Sequence, residues 1–330
     1  MYVIATDEAG YGPKLGPLVI AGTLWYLPDV SMDSGQVRAY FNQLTEPLEL
    51  DGITFRIADS KKVYQSGKGL EALEGVVGAG MRHCGLESNE FLDLVRVVCP
   101  RDFEDIWRTP WLELNDPSCE ITESERDKVD VFRRDPSPDF ARENQLISHW
   151  FKHGFVLQKI QARAITAKRF NDYCAKGLNK SDLLSMLTID LVASLSSHLP
   201  LSEEVAVYCD RHGGRRYYAG VLQNGFPDHL VRVIDEYAEE SCYALTGDPE
   251  MMVRFSVKGD SFAPVAYSSL VAKYLRERFM ERLNLYFSSK VSFALEPTAG
   301  YPVDARRFLE SIGDTLQKEG IQEKDFVRQR

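Results

Sequence analysis

The sequence predicts an α/β fold in which helices pack on a sheet. Apolar runs with the character of strands alternate with amphipathic stretches of helical period along most of the chain. The 330 residues are 44% hydrophobic and 27% charged, which is typical of a globular domain with a substantial core. Segments of strand character also end in acid at three places: Asp7-Glu8, Asp210 and Asp260.

The N-terminal part begins with a predicted pair of strands joined by a glycine-rich turn. A short strand then leads into a polar segment, and a helix follows whose three glycines weaken the helical pattern. The predicted elements are strands at 2–7, 17–26 and 53–57 and a helix at 70–81.

Residues 85–148 differ in character from the rest of the chain. They contain Trp107 and Trp111, several prolines and the charged run 123–128. We therefore expect an insertion that packs as an appendage on the core and supplies none of the site residues.

The C-terminal part again alternates strands with helices. A leucine stripe predicts an amphipathic helix that begins at Ser181 or Asp182, either of which could cap it. A helix and two further strand-like stretches separate Asp210 from Asp260. The predicted elements are strands at 156–164 and 205–209 and helices at 181–195 and 265–283.

Composition excludes several classes of protein. A net charge of -10 argues against gripping nucleic acid by overall basicity, so nucleic-acid contacts would need a local basic strip. The six cysteines form no Cys-x-x-Cys pair, which argues against a zinc site or a disulfide framework and favours reduced thiols in the cytoplasm. The N-terminus lacks the pattern of a signal peptide, and no apolar run has membrane-spanning length.

The first turn carries the strongest local signal. Asp7 and Glu8 are adjacent carboxylates at a strand end, where their repulsion favours a shared cation. Gly10, Gly12 and Gly16 allow positive φ and close approach of an anion to the main chain. The segment predicts a metal site beside a phosphate-sized cradle, although an ordinary acidic hairpin fits these residues equally well. The turn is followed by a strand and not a helix, which excludes the dinucleotide-binding fingerprint. A P-loop is also excluded, because no Gly-Lys-Ser/Thr follows a predicted strand.

The acidic strand ends together suggest a chemistry. Functional groups in α/β sheets collect at strand ends, where loops carry them. Carboxylates brought together there can hold two hard divalent cations for in-line displacement at phosphorus. Asp210 or Asp260 taken alone is better interpreted as a turn residue or helix cap.

Several motifs, in order, resemble those of the type 2 ribonucleases H, the HII/HIII group. Residues 7–17 resemble the opening motif of that family. The further matches are Asp59-Ser60-Lys61-Lys62, Asn179, Asp210, Lys258-Gly259-Asp260, Ser269-Leu270-Val271-Ala272-Lys273 with Arg276, and Gly300-Tyr301-Pro302. Matches in the right order over nearly the whole chain are more specific than any single one.

The resemblance implies a ribonuclease H-like fold, with a five-stranded mixed sheet flanked by helices and a helical C-terminal segment. It also implies two Mg²⁺ or Mn²⁺ ions and hydrolysis of the RNA strand of RNA–DNA hybrids, or at ribonucleotides embedded in DNA, leaving 3′-hydroxyl and 5′-phosphate ends. By position, the catalytic metal ligands would be Asp7, Glu8, Asp210 and Asp260.

The resemblance also implies substrate contacts. The backbone of the opening turn would read the ribose 2′-hydroxyl, lysines would contact phosphates, and Tyr301 would stack on a sugar. The substrate-binding set is Gly10, Tyr11, Gly12, Lys14, Ser60, Lys61, Lys62, Asn179, Ser269, Lys273 and Tyr301. The implied division of the chain is a core of 1–84 and 149–284, the insertion 85–148 and a C-terminal segment 285–330 that packs on the core.

The sequence departs from the family at Tyr11, where relatives carry a basic residue. Tyrosine cannot neutralise a phosphate, although Lys14 could supply the charge. We expect a nuclease that processes a single embedded ribonucleotide poorly relative to an RNA tract. Two alternatives stay open: a nucleic-acid-binding relative with weak catalysis, and a ribonuclease H-fold nuclease for another DNA structure.

Two residues close to Asp210 in the sequence, His212 and Cys209, are predicted to have no role in the site. His212 is expected in a surface turn, and Cys209 is expected to face the core.

Overall fold

The computed structural model describes residues 1–28, 34–64, 70–86, 91–112, 138–151 and 156–329. The strands are β1 Tyr2–Ala9, β2 Leu18–Tyr26, β3 Leu48–Leu50, β4 Ile53–Phe55, β5 Val156–Ile165, β6 Val205–Asp210, β7 Leu230–Glu236, β8 Glu240–Thr246 and β9 Met251–Ser256. The helices are α1 Ser34–Phe41, α2 Ser60–Val63, α3 Glu71–His83, α4 Phe91–Val98, α5 Phe103–Trp107, α6 Pro138–Trp150, α7 Ala167–Ala175, α8 Lys180–Ser196, α9 Ala219–Gly225, α10 Ala263–Ser289, α11 Pro302–Lys318 and α12 Glu323–Phe326. Short 3₁₀ turns lie at Asn42–Thr45, Pro110–Leu112 and Gly259–Ser261.

The main sheet is mixed, with the strand order β5-β2-β1-β6-β9-β8-β7. β1, β6 and β9 are parallel neighbours, while β2 runs antiparallel to both β1 and β5. The α/β prediction is therefore confirmed.

The predicted count of five strands was wrong for the described part of the chain, because the sheet there has seven strands. The two additional strands, β7 and β8, form a hairpin that extends the sheet beyond β9. They lie in the long connection between Asp210 and Asp260, whose strand-like stretches the sequence already showed.

Alternating side chains on the central strands build a core on each face of the sheet. Val3 and Ala5 of β1 face the core beneath α10, whereas Ile4 faces the core that contains the leucines of α8. α10 is buried on most of its sides, and its Ser268 hydroxyl bonds to the carbonyl of Ala5 at 2.9 Å. This packing fixes α10 against the strand that carries Asp7 and Glu8.

The start of α8 differs from the prediction. Its cap is Asn179, not Ser181 or Asp182: the Asn179 Oδ1 accepts a hydrogen bond from the backbone N–H of Asp182 at 2.9 Å. Asparagine is among the best N-cap residues because its side chain satisfies an N–H group that has no partner within the helix.

The described part of residues 85–148 is packed into the molecule by buried contacts. Asp102 is fully buried and accepts two hydrogen bonds from Arg163 of β5, at 2.8 and 3.1 Å. Phe91 packs edge-on against Phe279 of α10, with ring centroids 4.9 Å apart. The charged run 123–128 lies outside the described residues, and the boundaries of an insertion stay a prediction.

The C-terminal segment also joins the core. Phe308 and Ile312 of α11 and Phe326 of α12 are buried in the cluster beneath α10. The chain then returns to the opening turn, where the Arg328 N–H donates to the carbonyl of Lys14 at 2.9 Å. None of the described helices has the length and apolar character needed to cross a bilayer.

Candidate metal centre at the ends of two parallel strands

The acidic residues of β1 and β6 meet because the two strands are parallel neighbours. Thr6 pairs with Cys209, so the residues that follow, Asp7 and Asp210, reach the same edge of the sheet. One carboxylate oxygen from each of Asp7, Glu8 and Asp210 lies within 4.8 Å of the others. These three side chains form what we call the acidic cluster.

Burial and mutual repulsion disfavour ionisation of the acidic cluster. Burial, and then the charges of Glu8 and Asp210, raise the pKa of Asp7 well above its ordinary value. Burial, and then the charge of Asp210, raise the pKa of Glu8 to about 7. Burial also raises the pKa of Asp210, although the Gly259 N–H partly counteracts it. The cluster therefore favours any partner that supplies positive charge.

Asp260 lies beside the acidic cluster but is not one of its three members. It belongs to the 3₁₀ turn after β9, and its negative charge raises the pKa of Asp210. Burial and the charge of Asp59 raise the pKa of Asp260, while Lys61 and Lys62 lower it. The structure thus brings together three of the four predicted ligands, and the fourth interacts electrostatically with Asp210 and with the charged residues 59, 61 and 62.

Two backbone features hold Asp210 in place. Lys258 adopts left-handed φ of 56°, which turns the chain back after β9. The N–H of Gly259 then donates to the Asp210 Oδ1 at 2.7 Å. A Cβ at position 259 would lie 3.0 Å from the Asp210 Cα and 3.1 Å from Oδ1, so the close approach requires glycine.

Gly259→Ala is expected to displace the Asp210 carboxylate and lower divalent-metal affinity by about 10- to 100-fold, as loss of a supporting contact typically does. Isothermal titration with Mn²⁺ measures this. Gly214→Ala is the matched control, because a Cβ there meets nothing within 4 Å. Unchanged Mn²⁺ affinity in Gly259→Ala would contradict the role given to this glycine.

The opening turn follows directly from the acidic cluster. Gly10 has φ of +88°, and a Cβ there would come within 2.6 Å of Arg276 Nε and 2.7 Å of the Pro17 carbonyl. Gly12 is exposed, and a Cβ on it would lie 4.0 Å from the ring of Tyr301. The turn and the exposed Tyr301 ring therefore form one continuous surface beside the acids.

A cavity of about 320 Å³ adjoins Glu8 and the opening turn. Predicted substrate residues contribute to its lining: Gly10, Ser60, Lys61, Ser269, Lys273 and Tyr301. Ser269 hydrogen-bonds to Asp7, which lowers the pKa of that carboxyl somewhat. These predicted residues thus lie around a single cleft at the edge of the sheet.

Solved structures resemble this chain over nearly all its length, whereas no protein-family model and no curated protein matches it. RNase HII in the PCNA:RNase HII complex from Archaeoglobus fulgidus is 15% identical over 100% of this chain and 95% of that one, with a TM-score of 0.41. Ribonuclease H2 from Pyrococcus horikoshii OT3 is 16% identical over 99% and 92%, with a TM-score of 0.40. Bst-RNase HIII in complex with Mn²⁺ is 12% identical over 100% and 66%, with a TM-score of 0.40.

The mixed sheet agrees with the ribonuclease H-like fold that the sequence motifs imply. The strands β5, β2, β1, β6 and β9 form a five-stranded mixed sheet, and the hairpin of β7 and β8 adds two further strands at the edge of β9.

Three polar residues that line the cleft, Tyr64, Arg276 and Glu277, were not in the predicted site. Tyr64 donates to Glu277 at 3.1 Å, and the Lys273 ammonium bonds Glu277 and lies 4.9 Å from the Tyr64 ring centroid. Arg276 donates to the carbonyl of Ala299 at 2.9 Å. Arg276 and Glu277 follow Lys273 at helical spacing, a signal that could have identified them.

The remaining predicted residues have the following environments. Asn179 uses its side chain to cap α8, so a substrate role for it stays a prediction. The charge of Lys62 lowers the pKa of Asp260. Tyr11 lies beside Lys180, whose ammonium donates to the Tyr11 carbonyl at 3.2 Å. Lys14 donates its N–H to the Gly300 carbonyl at 2.7 Å, which ties the opening turn to the C-terminal motif.

The interpretation of His212 as a surface residue was wrong. His212 is only 2% exposed, hydrogen-bonds Ser185 at 3.0 Å and lies edge-on to the rings of Tyr218 and Phe255. Burial lowers its pKa to about 3, so it is a neutral packing residue at physiological pH. Cys209 faces the core, as predicted.

Proposed function

We propose that this protein is a metal-dependent endoribonuclease that hydrolyses the RNA strand of RNA–DNA hybrids, or ribonucleotides embedded in DNA. The observation that carries the proposal is the acidic cluster, in which three carboxylates lie within 4.8 Å of one another beside a glycine turn. A fold does not normally bring repelling acids together at a strand end without a cation to share.

The residues fit hard divalent cations. Mg²⁺ and Mn²⁺ favour carboxylate oxygens, and a cation would relieve the repulsion that raises the pKa of each member. Asp7, Glu8 and Asp210 would hold the ions, with Asp260 as the fourth ligand. Bound ions would supply an activated water and stabilise charge on the leaving oxygen, which yields 3′-hydroxyl and 5′-phosphate ends.

The side chains around the cluster orient the ligands and the substrate. Ser269 donates a hydrogen bond to Asp7, and Gly259 donates its N–H to Asp210. Each of these hydrogen bonds restrains the orientation of one carboxylate. Lys61, Lys62 and Lys273 would contact phosphates of the duplex. The paired Lys273 and Glu277 would have to exchange part of their mutual contact for that phosphate.

The opening turn would provide selectivity for RNA. Gly10 and Gly12 present backbone groups without side chains, which lets the 2′-hydroxyl approach closely. Tyr301 is 54% exposed and adjoins Gly12, and in this proposal its ring would stack on a sugar.

A cleavage assay tests the proposal directly. Labelled duplexes that contain zero, one or several ribonucleotides are incubated with the protein in Mg²⁺, in Mn²⁺ and in EDTA. We expect metal-dependent cleavage only where a ribonucleotide is present. Cleavage of the all-DNA duplex or of a DNA junction would instead favour a different nuclease, and binding without cleavage would favour a non-catalytic relative.

Tyr11→Arg is expected to raise cleavage of the single-ribonucleotide duplex more than cleavage of the hybrid. The added guanidinium would gain one charge-assisted contact to phosphate, but Lys180 already lies 5.4 Å from the Tyr11 ring centroid. We therefore expect a gain of no more than about tenfold. Steady-state kcat/KM on both duplexes measures it, with Tyr11→Phe as the uncharged control. Equal gains on both substrates, or none, would show that Tyr11 does not set this preference.

A further inference from the structure

Three cations from distant parts of the chain converge beside the opening turn. They are Lys14 of that turn, Lys180 at the start of α8 and Arg328 near the C-terminus. The Arg328 N–H donates to the carbonyl of Lys14, and the Lys180 ammonium donates to the carbonyl of Tyr11 at 3.2 Å. Asn171 anchors the C-terminal segment by donating to the Lys324 and Val327 carbonyls.

Arg328 is the unusual member of this group. Its side chain is fully buried, and none of its three guanidinium nitrogens has a hydrogen-bond partner among the described residues. The guanidinium carbon lies 5.3 Å from the centroid of the Phe170 ring, which offsets only part of the cost of burying the charge. Burial and the charge of Arg276 lower the pKa of Arg328 to about 9.

The described carboxylates form no ion pair with this group, although Glu310 and Glu323 line the same cavity as Lys14 and Arg328. Burial, and then the charges of Arg328 and Lys14, lower the pKa of Lys180. On a protein with a net charge of -10, a group of cations without a carboxylate partner indicates a site for an anion.

We propose that Lys14, Lys180 and Arg328 form a binding position for a backbone phosphate of the nucleic-acid substrate, beside Tyr11. Lys14 and Lys180, which are partly exposed, contact the phosphate directly. Arg328 is buried, its charge acts on the ammonium of Lys180, and it adds positive potential from an environment of low dielectric. This inference rests on the proposed function, since it names how the same site holds its substrate.

The ligand is assigned to nucleic acid rather than to a free anion because of where the group lies. Tyr11 separates Lys180 from the exposed Gly12, and Lys14 is tied to Gly300, next to Tyr301. A duplex seated on the acidic cluster and the opening turn would extend over this group. Inorganic phosphate carries the same kind of anionic group as the nucleic-acid backbone, so it serves as a separate probe of this site.

Binding of a fluorescent RNA–DNA hybrid, measured by anisotropy in EDTA at several salt concentrations, tests the contacts. Lys14→Gln and Lys180→Gln should each weaken binding about three- to tenfold and reduce the slope of log K against log salt by about 0.9, the loss of one phosphate contact. Lys180→Arg should keep the wild-type affinity. Arg232→Gln, at an exposed position on β7, removes the same charge elsewhere and should change neither quantity.

Thermal unfolding tests Arg328 independently. In phosphate-free buffer, Arg328→Met should unfold at a higher temperature than the wild type, because it removes a buried charge without a partner. Inorganic phosphate, at ionic strength matched with chloride, should stabilise the wild type more than Arg328→Met, because one of the three positive charges is gone. Equal stabilisation of the two would show that Arg328 takes no part in the site.

The outcomes separate this inference from the nuclease proposal. Binding is measured without metal, so a protein that binds the hybrid through these lysines but never cleaves it would support the site and overturn the nuclease. If the two lysine variants had the same hybrid affinity and salt dependence as Arg232→Gln, the proposed phosphate site would be overturned. Stabilisation by inorganic phosphate with unchanged hybrid affinity in both lysine variants would also overturn it, because the anion would then not belong to the substrate.

Discussion

Asp7→Asn is expected to reduce cleavage of an RNA–DNA hybrid by at least about 10²-fold, a typical cost of losing one electrostatic contributor at a reaction centre. The amide is nearly isosteric but supplies no negative charge to a cation. The same change should stabilise the metal-free protein, because Asp7 is held near the charges of Glu8 and Asp210. Cleavage rates and thermal unfolding of the same preparation measure both effects.

Opposite signs for activity and stability distinguish a metal-binding role from a structural one. Asp228→Asn, at an exposed turn position, is the matched control and should leave both quantities unchanged. If Asp7→Asn instead lowered stability and activity together, Asp7 would be a structural residue and the acidic cluster would lose its proposed purpose.

The metal-free protein is expected to lose stability as the pH rises from about 4.5 to about 7. Glu8 has its pKa raised from 4.5 to about 7, so the folded state binds more protons than the unfolded state in this window. The stabilisation is fully present below the unfolded pKa and is lost as the pH passes the folded pKa. Glu8 alone should account for a loss on the order of 3 kcal/mol in the free energy of unfolding over this pH range. Urea unfolding in EDTA at a series of pH values measures this loss.

Divalent metal should reverse this loss. Mn²⁺ at about 100 times its dissociation constant would add about 2.7 kcal/mol, or about 4 °C in Tm for a chain of this size. The increase should be much smaller at pH 5, where protons compete for the same oxygens. Asp7→Asn should abolish most of the increase and Asp228→Asn none of it. An increase independent of pH would place the metal somewhere other than the acidic cluster.

Much of the framework could be predicted from local patterns. The period of apolar residues located β1, β2, β5 and β6 to within two residues, because strand period is a property of neighbouring residues. It also located α10, although that helix continues six residues beyond the predicted end at 283. The glycines of the opening turn were also predictable, since Gly10 has the positive φ that only glycine adopts readily.

The α8 cap shows where a local pattern was insufficient. The sequence pattern offered Ser181 and Asp182 as caps, but Asn179 has the extended backbone of a cap residue and its side chain accepts from the Asp182 N–H. His212 was misplaced for a related reason, because the rings of Tyr218 and Phe255 that bury it come from other elements.

By itself, the sequence determined the acidic strand ends, the glycine turn and the order of the motifs, which together indicated an α/β fold and a metal site. Only the tertiary structure decided that Asp7, Glu8 and Asp210 form the tight cluster while Asp260 lies beside it. It also decided that Arg328 is buried and that its backbone N–H bonds to the Lys14 carbonyl. The physical reason is that strand pairing and burial depend on contacts between residues far apart in the chain, and no local period encodes those contacts.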